Sequence, residues 1–508
     1  MKDETRIILN ALLAQARRLS SMAVAFLMVP YLIGHLGEES YGVIGIAASI
    51  LGFLTLIEMG IRPATVRQYT SFVFGDEPDR ANALVSTSMV FYLGLALTIM
   101  TSLAVFGRSF LSAMQIPAEI LPVAWWTLLA VGLALCVNLI GTPYRAALVS
   151  HLRHDIEHYT EMLTTLLRAG VIVAIFTFWT KSLLVWGAAT LLSAAVVFLV
   201  VRHRSVGVSP TLQVRLGLAS REGWSDLSKV GVDTTMAQFS SWLNMQSGPI
   251  LVSFFLGAAA VTHYAPVLVL MNALMSFSLS FIRQLIPVMT RAAGRQDFLL
   301  MQRTLVRSAR YSILISGTAA CWVAVHAQLI VPTWLGDGFE DTALVLVYWC
   351  GAVALRTYTG ASFPVFLGAN RLRGVAIFNL FLAAASLGLA VYLVGYRDLG
   401  VVGAAIPAFA AQAIRTFVRV WLASRVCKIS PLLFGWRSYP GPTLCLVATV
   451  GIALAMQHHL DLALWPQLLA SGGASLLGFA LCAWTLGLTS QDRTKLAAYL
   501  RTGLSRFV

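Results

Sequence analysis

The sequence predicts an all-α, multi-pass membrane protein, and three observations support this fold class. Of its 508 residues, 58% are hydrophobic and only 11% are charged, whereas soluble chains carry roughly 25% charged residues. The apolar residues form continuous runs of about 20, long enough to cross a bilayer as helices, without the alternation that marks barrel strands. The net charge is +14, and most Lys and Arg residues lie in every second segment between the runs, as the positive-inside rule predicts.

About fourteen of these runs are predicted to be transmembrane helices. Their approximate bounds are residues 15–35, 41–61, 81–105, 120–142, 161–180, 183–201, 231–256, 262–286, 311–333, 342–366, 374–394, 399–424, 441–459 and 466–489. An even number of spans places both termini on the same side of the membrane.

The distribution of Lys and Arg sets the orientation. With the amino terminus in the cytoplasm, only Arg108, Lys181 and Arg397 fall in extracytoplasmic loops. Arg168, Arg283, Arg356 and Arg415 are counted inside spans, and every other Lys and Arg, including Arg17, Arg18 and Arg419 near span ends, is assigned to the cytoplasmic side. The sequence therefore predicts cytoplasmic N and C termini. Because topology explains the positive charge, no nucleic-acid partner is expected.

The longest loop, roughly 202–230, separates six predicted spans from eight. This predicts two pseudo-symmetric six-helix lobes followed by a helix pair, as in transporters built from parallel repeats. The predicted domains are an N-terminal lobe over 1–205, a cytoplasmic inter-lobe loop over 206–230, a C-terminal lobe over 231–425, the additional spans within 426–490, and a cytoplasmic basic amphipathic tail over 491–508.

Several enzyme classes are excluded because the sequence lacks their motifs. The chain has no GxxxxGK[ST] phosphate loop, and its loops are too short to hold a folded catalytic domain. The six cysteines show no CxxC spacing and suggest no extracytoplasmic disulfide framework. We therefore predict no catalytic residues, no metal site and no cofactor. Polar side chains buried among many helices favour a transporter over an enzyme.

Three segments resemble the polysaccharide flippases, the O-antigen and exopolysaccharide transporters of the multidrug/oligosaccharidyl-lipid/polysaccharide (MOP) exporter superfamily. They are PYLIGHLGEESYGVIGIAASILGFLTLIEMGIRPATVRQY at 30–69, LIPVMTRAAGRQDFLLMQRTLVRSARY at 285–311 and ANRLRGVAIFNLFLAAASLGLAVYLVGYRDLGVVGAAI at 369–406. The first is the most specific. The second predicted helix begins with a Leu-Gly-x-x-x-Tyr-Gly motif. It ends with an acidic residue, Gly60 and then an Arg.

The resemblance implies a flippase that carries a polyprenyl-diphosphate-linked oligosaccharide from the cytoplasmic to the periplasmic leaflet of a bacterial inner membrane. It implies alternating access of two lobes and a role in cell-surface polysaccharide biosynthesis. Membrane lipids and other polysaccharide assembly proteins are the expected partners. Direction is expected from the membrane potential, with H+ or Na+ coupling as a second option. Three alternatives stay open: a cation-coupled drug antiporter of the same superfamily, an integral membrane glycosyl transferase or ligase, and a scaffold for an assembly complex.

Arginines inside spans are the expected ligands of a diphosphate, because the planar guanidinium donates bidentately and stays protonated. Arg356 and Arg415 lie near mid-bilayer in the tenth and twelfth predicted spans. Facing lipid there would cost about 2.5 to 3.5 kcal/mol, so both should face protein or water. A structural contact between helices is the alternative for each. Arg168 and Arg283 lie nearer the cytoplasmic helix ends and are further candidates, with snorkelling to headgroups as their alternative.

Acidic residues are the candidates for coupling or gating. Glu58 is the only carboxylate well inside a predicted span. Its alternative role is an ion pair with Arg62, one turn further on. Asp233 opens the seventh predicted helix, where it serves either as a coupling site or as an acid stabilised by the helix dipole.

The seventh predicted helix is unusually polar. Gln238, Ser241 and Asn244 step by three residues along one face, and Gln246 lies to one side. Interhelical hydrogen bonds explain one or two amides in a span, but not this many. We therefore expect Gln238, Asn244 and Gln246 to form a wetted wall that binds sugar hydroxyls.

Overall fold

A computed structural model describes residues 2–55, 58–228, 232–459 and 464–487, together with Thr494. These residues form helices, turns and short loops, and there is no strand among them. The predicted all-α fold class is confirmed. The chain divides into two compact units, residues 1–266 and 267–508.

The first unit contains helices α1 to α11. In chain order they are Lys2–Leu36, Glu38–Leu54, Glu58–Phe74, Pro78–Ala113, Leu121–Ile140, Thr142–Ser150, His154–Phe178, Leu183–Val208, Arg221–Ser228, Val232–Leu256 and Ala258–Thr262. Helix α12, Ala265–Gln284, begins at the end of this unit and continues into the second.

The second unit contains helices α13 to α23. In chain order they are Ile286–Gly294, Phe298–Ser312, Thr318–Val325, Ala327–Leu335, Glu340–Thr357, Ser362–Gly368, Leu372–Gly395, Val402–Val426, Pro431–Ser438, Pro440–His459 and Leu464–Cys482. One π-helical turn, Ile313–Gly317, joins α14 to α15, and another, Ala483–Gly487, follows α23.

The described helices include nine that are long and apolar enough to cross a membrane, or up to eleven if each of two bent pairs is one span. The bent pairs are Phe298–Val325 with Ala327–Leu335, at 73°, and Glu340–Thr357 with Ser362–Gly368, at 50°. Each predicted span overlaps a helix, but the count of fourteen is not confirmed. Helix α20 shows why, since it is less apolar than a simple span and carries Arg415, Arg419 and Arg425.

Short polar side chains cap the N-termini of several helices. Oγ of Ser182 accepts a hydrogen bond from the amide of Leu184 at the start of α8. The carboxylate of Asp297 accepts one from Leu300 at the start of α14. These caps satisfy amides that have no acceptor within the helix, and they help to set where α8 and α14 begin.

The predicted inter-lobe loop is bound to the first unit. The side-chain amide of Asn82, on α4, donates to the carbonyl of Thr211 at 3.0 Å, and its oxygen accepts from the amide of Gln213 at 2.9 Å. Five residues further along α4, Oγ1 of Thr87 accepts from the amide of Ser220 at 3.0 Å. Loop residues 211, 213 and 220 are thus held against the N-terminal part of α4.

Helix α10 packs with the first unit, although the sequence analysis assigned it to the C-terminal lobe. It lies against α2, which also contacts α11 closely. A Cβ on Gly42 of α2 would lie 1.8 Å from the carbonyl oxygen of Ala258 on α11. Small residues that allow such close approach are typical of membrane helix interfaces. Apart from Thr494, the tail predicted over 491–508 lies outside the described residues.

Candidate functional site

Three arginines of the second unit lie together, and we call them the arginine cluster. Arg356 is in the last turn of α17, and Arg415 and Arg419 are one turn apart on α20. Helices α17 and α20 pack against each other, and the three guanidinium groups are close enough to repel one another. The structure therefore unites the two arginines predicted to bind a diphosphate and adds a third.

Arg356 lies at a break in its span. Helix α17 ends at Thr357 and α18 begins at Ser362, and the two segments are bent by 50°. The prediction of one continuous span over 342–366 around Arg356 is therefore wrong, since the helix is broken after Thr357. Interrupted helices border ligand sites in many transporters, because the non-helical turn offers polar backbone groups at membrane depth.

The break is held against α14. Gly360 has a φ of +50°, and a Cβ on it would lie 2.7 Å from the amide nitrogen of Ala309. The amide of Ala361 donates to Oγ of Ser308 at 2.8 Å. Glycine thus permits a backbone approach that a larger residue would block, and this contact fixes the position at which the span breaks.

Arg356 has little to bind within the described protein. Its Nη1 donates to Sδ of Met275, on α12, at 3.7 Å. A thioether is a weak acceptor, whereas a guanidinium carries five donors. No ion pair joins Arg356 to a carboxylate among the described residues. Most of its hydrogen-bonding capacity is therefore available to a ligand.

Arg415 is held in place by a chain of hydrogen bonds. It is 9% exposed, and its Nη1 donates to Oε1 of Gln412 at 3.0 Å. Nε2 of Gln412 donates to Oγ1 of Thr416 at 3.1 Å, and that hydroxyl donates to the carbonyl of Leu355 at 3.1 Å. Because Leu355 precedes Arg356, the chain links the two arginines through the backbone of α17.

Arg419 was missed by the sequence analysis, which assigned it to a cytoplasmic segment. The structure places it within α20, half-buried. Its Nε is buried and has no hydrogen-bond acceptor among the described residues. The spacing of four from Arg415 was the available signal, since residues four apart share a helix face.

The coupling candidates of the first unit belong to a different set of contacts. Oγ1 of Thr142 donates to Oε1 of Glu58 at 3.0 Å. Nη2 of Arg62 donates to Oε1 of Glu157 at 2.6 Å, and Nδ1 of His154 lies 3.4 Å from the other oxygen of that carboxylate. Arg62 therefore pairs with Glu157 and not with Glu58.

Helix α7 explains why Glu157 was overlooked. The predicted span began at 161, whereas the helix begins at His154 and carries both Glu157 and Glu161. Glu161 forms an ion pair with Arg17 of α1. Arg168, further along α7, is half-buried and has no ion pair or hydrogen bond with a described residue. Its predicted role in substrate binding stays a prediction.

The polar wall of α10 is described only in part. Asn244 and Gln246 are half-buried. Gln246 lies over Gly52 of α2, where an added Cβ would be 2.8 Å from its Nε2. The side chains of Asp233, Gln238 and Arg283 lie outside the described residues. The wall, like the roles assigned to these three residues, stays a prediction.

The described residues offer neither a metal site nor an evidently reactive thiol. Within the part of the chain that the structure describes, no group of three His, Cys, Asp or Glu could hold a metal ion. All six cysteines are free. Burial raises the pKa of the Cys427 thiol, which follows α20, to about 12. That thiol stays protonated at neutral pH and is a poor nucleophile.

The fold matches solved transporters along most of the chain. An inward-facing multidrug resistance MATE family transporter of the MOP superfamily matches with a TM-score of 0.71 at 16% identity, covering 83% of this chain and 98% of that one. The lipid II flippase MurJ, in an inward closed conformation, matches with a TM-score of 0.69 at 11% identity, covering 94% and 98%. A MOP superfamily transporter from Pyrococcus furiosus matches with a TM-score of 0.59 at 16% identity, covering 82% and 95%. The protein is therefore a multi-pass membrane protein with the fold of MOP superfamily transporters.

The family follows from the sequence match. Residues 35–344, more than half of the chain, match the polysaccharide biosynthesis protein family, and the chain belongs to that family. It is also 21% identical over 478 residues to the uncharacterized membrane protein EpsK of Bacillus subtilis (strain 168), a match that covers 94% of each chain. The predicted relationship to a polysaccharide family is confirmed, and the fold is the predicted one, that of MOP superfamily transporters.

Proposed function

We propose that the protein is a flippase that moves a polyprenyl-diphosphate-linked oligosaccharide from the cytoplasmic to the periplasmic leaflet of a bacterial inner membrane. The arginine cluster of the second unit carries this proposal. Three guanidinium groups lie close together, and neither Arg356 nor Arg419 has an ion pair among the described residues. Such a site is suited to an anion.

The energetics favour a ligand with more than one negative charge. A buried charge without a counter-charge costs several kcal/mol, and neighbouring like charges add to that cost. A diphosphate would neutralise the cluster and accept paired hydrogen bonds from the guanidinium forks. The polyprenyl tail would remain in lipid while the sugars meet amides such as Gln238, Asn244 and Gln246. Arg168 and Arg283 are further candidates for the anionic part.

A drug antiporter would need carboxylates free to bind a cation. In the first unit, Glu157 and Glu161 are already paired with Arg62 and Arg17. Two findings on relatives agree with an anionic, sugar-bearing substrate: the family is described as polysaccharide biosynthesis proteins, and MurJ is named a lipid II flippase. These descriptions, together with the arginine cluster, support the proposed substrate class.

Transport requires alternating access of the two lobes and makes or breaks no covalent bond. An inside-negative potential favours outward movement of an anion by about 2.3 kcal/mol per charge per 100 mV. This term supplies direction without ATP. Exchange of H+ or Na+ would add to it through Glu58, with Arg62 and Asp233 as gating residues. Other polysaccharide assembly proteins are proposed to deliver and remove the glycan.

Export of surface glycan tests the proposal in cells that depend on this gene. Arg356→Ala should leave folded protein in the membrane, reduce surface glycan and trap lipid-linked oligosaccharide on the inner side. Arg356→Lys keeps the charge without the planar fork and should be intermediate. Arg204→Ala, an exposed cation at the end of α8, is the matched control. Normal glycan export by Arg356→Ala would contradict the proposal.

A further inference from the structure

A second cationic site lies in the second unit, away from the arginine cluster. A cavity of about 930 Å³ opens between the start of α14, the turn after α18, the start of α19 and the end of α20. Four cations line it: Arg371, Arg373, Arg425 and Lys428. Its described lining contains no Asp or Glu, and its volume is within the range of small-molecule sites.

The positive charge of the four cations is larger than the negative partial charge that the neighbouring helix ends supply. Helices α18 and α20 both end at the cavity, and the carbonyl end of a helix is equivalent to at most about half a negative charge. Two such ends offset about one of the four positive charges. An excess of positive charge remains at the cavity, so dipole stabilisation alone does not account for the lining.

The cationic turn at the end of α20 is rigidly held. Nε2 of Gln302, on α14, donates to the carbonyls of Cys427 and Lys428 at 2.9 and 3.1 Å. Nζ of Lys428 lies 4.0 Å from the ring centre of Phe298, and the guanidinium of Arg425 lies 4.3 Å from the ring of Trp421. These contacts position the charges before any ligand binds, which lowers the entropic cost of binding.

An apolar strip leads away from the cavity along two packed helices. On α19, Arg373 is followed at intervals of four by Ile377 and Phe381, the latter 74% exposed. On α20, Phe417 is 75% exposed and lies with Trp421 and Arg425 on one helix face. At 3.6 residues per turn, this face is nearly opposite to the one that carries Arg415 and Arg419. The strip is therefore distinct from the candidate transport site.

The cavity and the strip together match the two ends of a phospholipid. We propose that this site binds an anionic phospholipid, with its phosphate among Arg371, Arg373, Arg425 and Lys428 and its acyl chains along Ile377, Phe381 and Phe417. The positive-inside rule places the cationic end at the cytoplasmic leaflet. Basic pockets between membrane helices suit phosphate headgroups at that surface. The proposal does not depend on the transported substrate.

Lipid retention by the purified full-length chain tests this site. Native mass spectrometry would count molecules of phosphatidylglycerol or phosphatidylcholine bound after delipidation and controlled addition. The wild type should retain phosphatidylglycerol at least about tenfold more strongly than phosphatidylcholine, because several cations each contribute to headgroup binding. Arg373→Gln with Arg425→Gln should remove that preference, whereas Arg373→Lys with Arg425→Lys should keep it.

The matched control is Arg202→Gln with Arg204→Gln, which removes two exposed cations from the end of α8 in the first unit. It should retain the preference for phosphatidylglycerol. Equal retention by the Arg373→Gln and Arg425→Gln double variant and the wild type would overturn the site. Displacement of the lipid by millimolar inorganic phosphate would also overturn it, since that result would identify a free-anion site. If the double variant does not fold, the exposed single substitution Arg373→Gln gives the same comparison.

Discussion

Arg415 donates a hydrogen bond from Nη1 to Oε1 of Gln412, 3.0 Å away and one turn earlier on α20. The amide of Gln412 is in turn fixed through Thr416 to the carbonyl of Leu355. A neutral amide therefore orients the guanidinium without cancelling its charge. This arrangement makes Gln412 a positioning residue for Arg415.

Gln412→Glu should impair export as strongly as loss of Arg415. The new carboxylate would lie within hydrogen-bond reach of Arg415 and neutralise it, and charge-assisted bonds are worth about 1.5 to 3 kcal/mol. We expect export of surface glycan to fall about tenfold or more. Gln412→Leu removes the acceptor without adding charge, so its loss should be smaller. Wild-type export by Gln412→Glu would contradict an anion-binding role for the cluster.

Arg419→Gln should stabilise the protein while reducing its export activity. Removal of one of three mutually repelling cations relieves roughly 1 kcal/mol or more in a poorly solvated site. Thermal unfolding in detergent measures the first effect, and glycan export measures the second. Arg215→Gln, an exposed cation in the first unit, should change neither. A variant that loses stability and retains export would show that Arg419 is a structural residue.

Gly360→Ala should destabilise the broken span more than Gly400→Ala does. Both glycines have positive φ, +50° and +56°, so each substitution carries the same backbone penalty of about 1 kcal/mol. Only at Gly360 does the added Cβ meet backbone, 2.7 Å from Ala309, whereas nothing lies within 4 Å at Gly400. Overpacking should add about 1 to 3 kcal/mol to the loss of unfolding free energy. Equal thermal shifts for the two variants would contradict the tight packing of the break on α14.

Glu58→Gln should leave potential-driven export intact. Its side-chain oxygen can still accept the hydrogen bond from Thr142, which is 3.0 Å long in the wild type. Export would be measured in membrane vesicles of known orientation. The membrane potential would be held constant while the pH gradient is varied. We expect export to follow the potential in both forms. If Glu58→Gln removed a dependence on the pH gradient, Glu58 would be the coupling residue instead.

Hydrophobic run length was sufficient to locate the helices, because each predicted span overlaps one. The breaks were not predictable in the same way. Residues 358–361 contain no proline, and the bend there arises from the contact of Gly360 with α14, which is distant in sequence. His326 lies at the other bend, where its ring is stacked on Trp322 and bonded to Ser471 of α23 at 2.7 Å. Tertiary contacts of this kind leave no periodic signal.

The candidate site was predicted in outline by the cost of placing arginine in hydrocarbon. That argument found Arg356 and Arg415 because both lie deep within apolar runs. It missed Arg419 because that residue, five positions before the predicted span end at 424, was counted with the cytoplasmic segment, whereas the helix continues to Val426. It also gave no indication that Arg62 would pair with Glu157, since their separation of 95 residues is bridged only in the folded chain.

Ligand binding to the purified full-length chain in lipid nanodiscs tests the arginine cluster most directly. The ligands are farnesyl diphosphate, farnesyl monophosphate and farnesol, and the variant carries Arg356→Gln, Arg415→Gln and Arg419→Gln. The wild type should bind the diphosphate at least about tenfold more tightly than the monophosphate, and the triple variant should bind the three ligands with similar affinity. Undiminished preference for the diphosphate in a folded triple variant would contradict the assignment of the cluster as the diphosphate site.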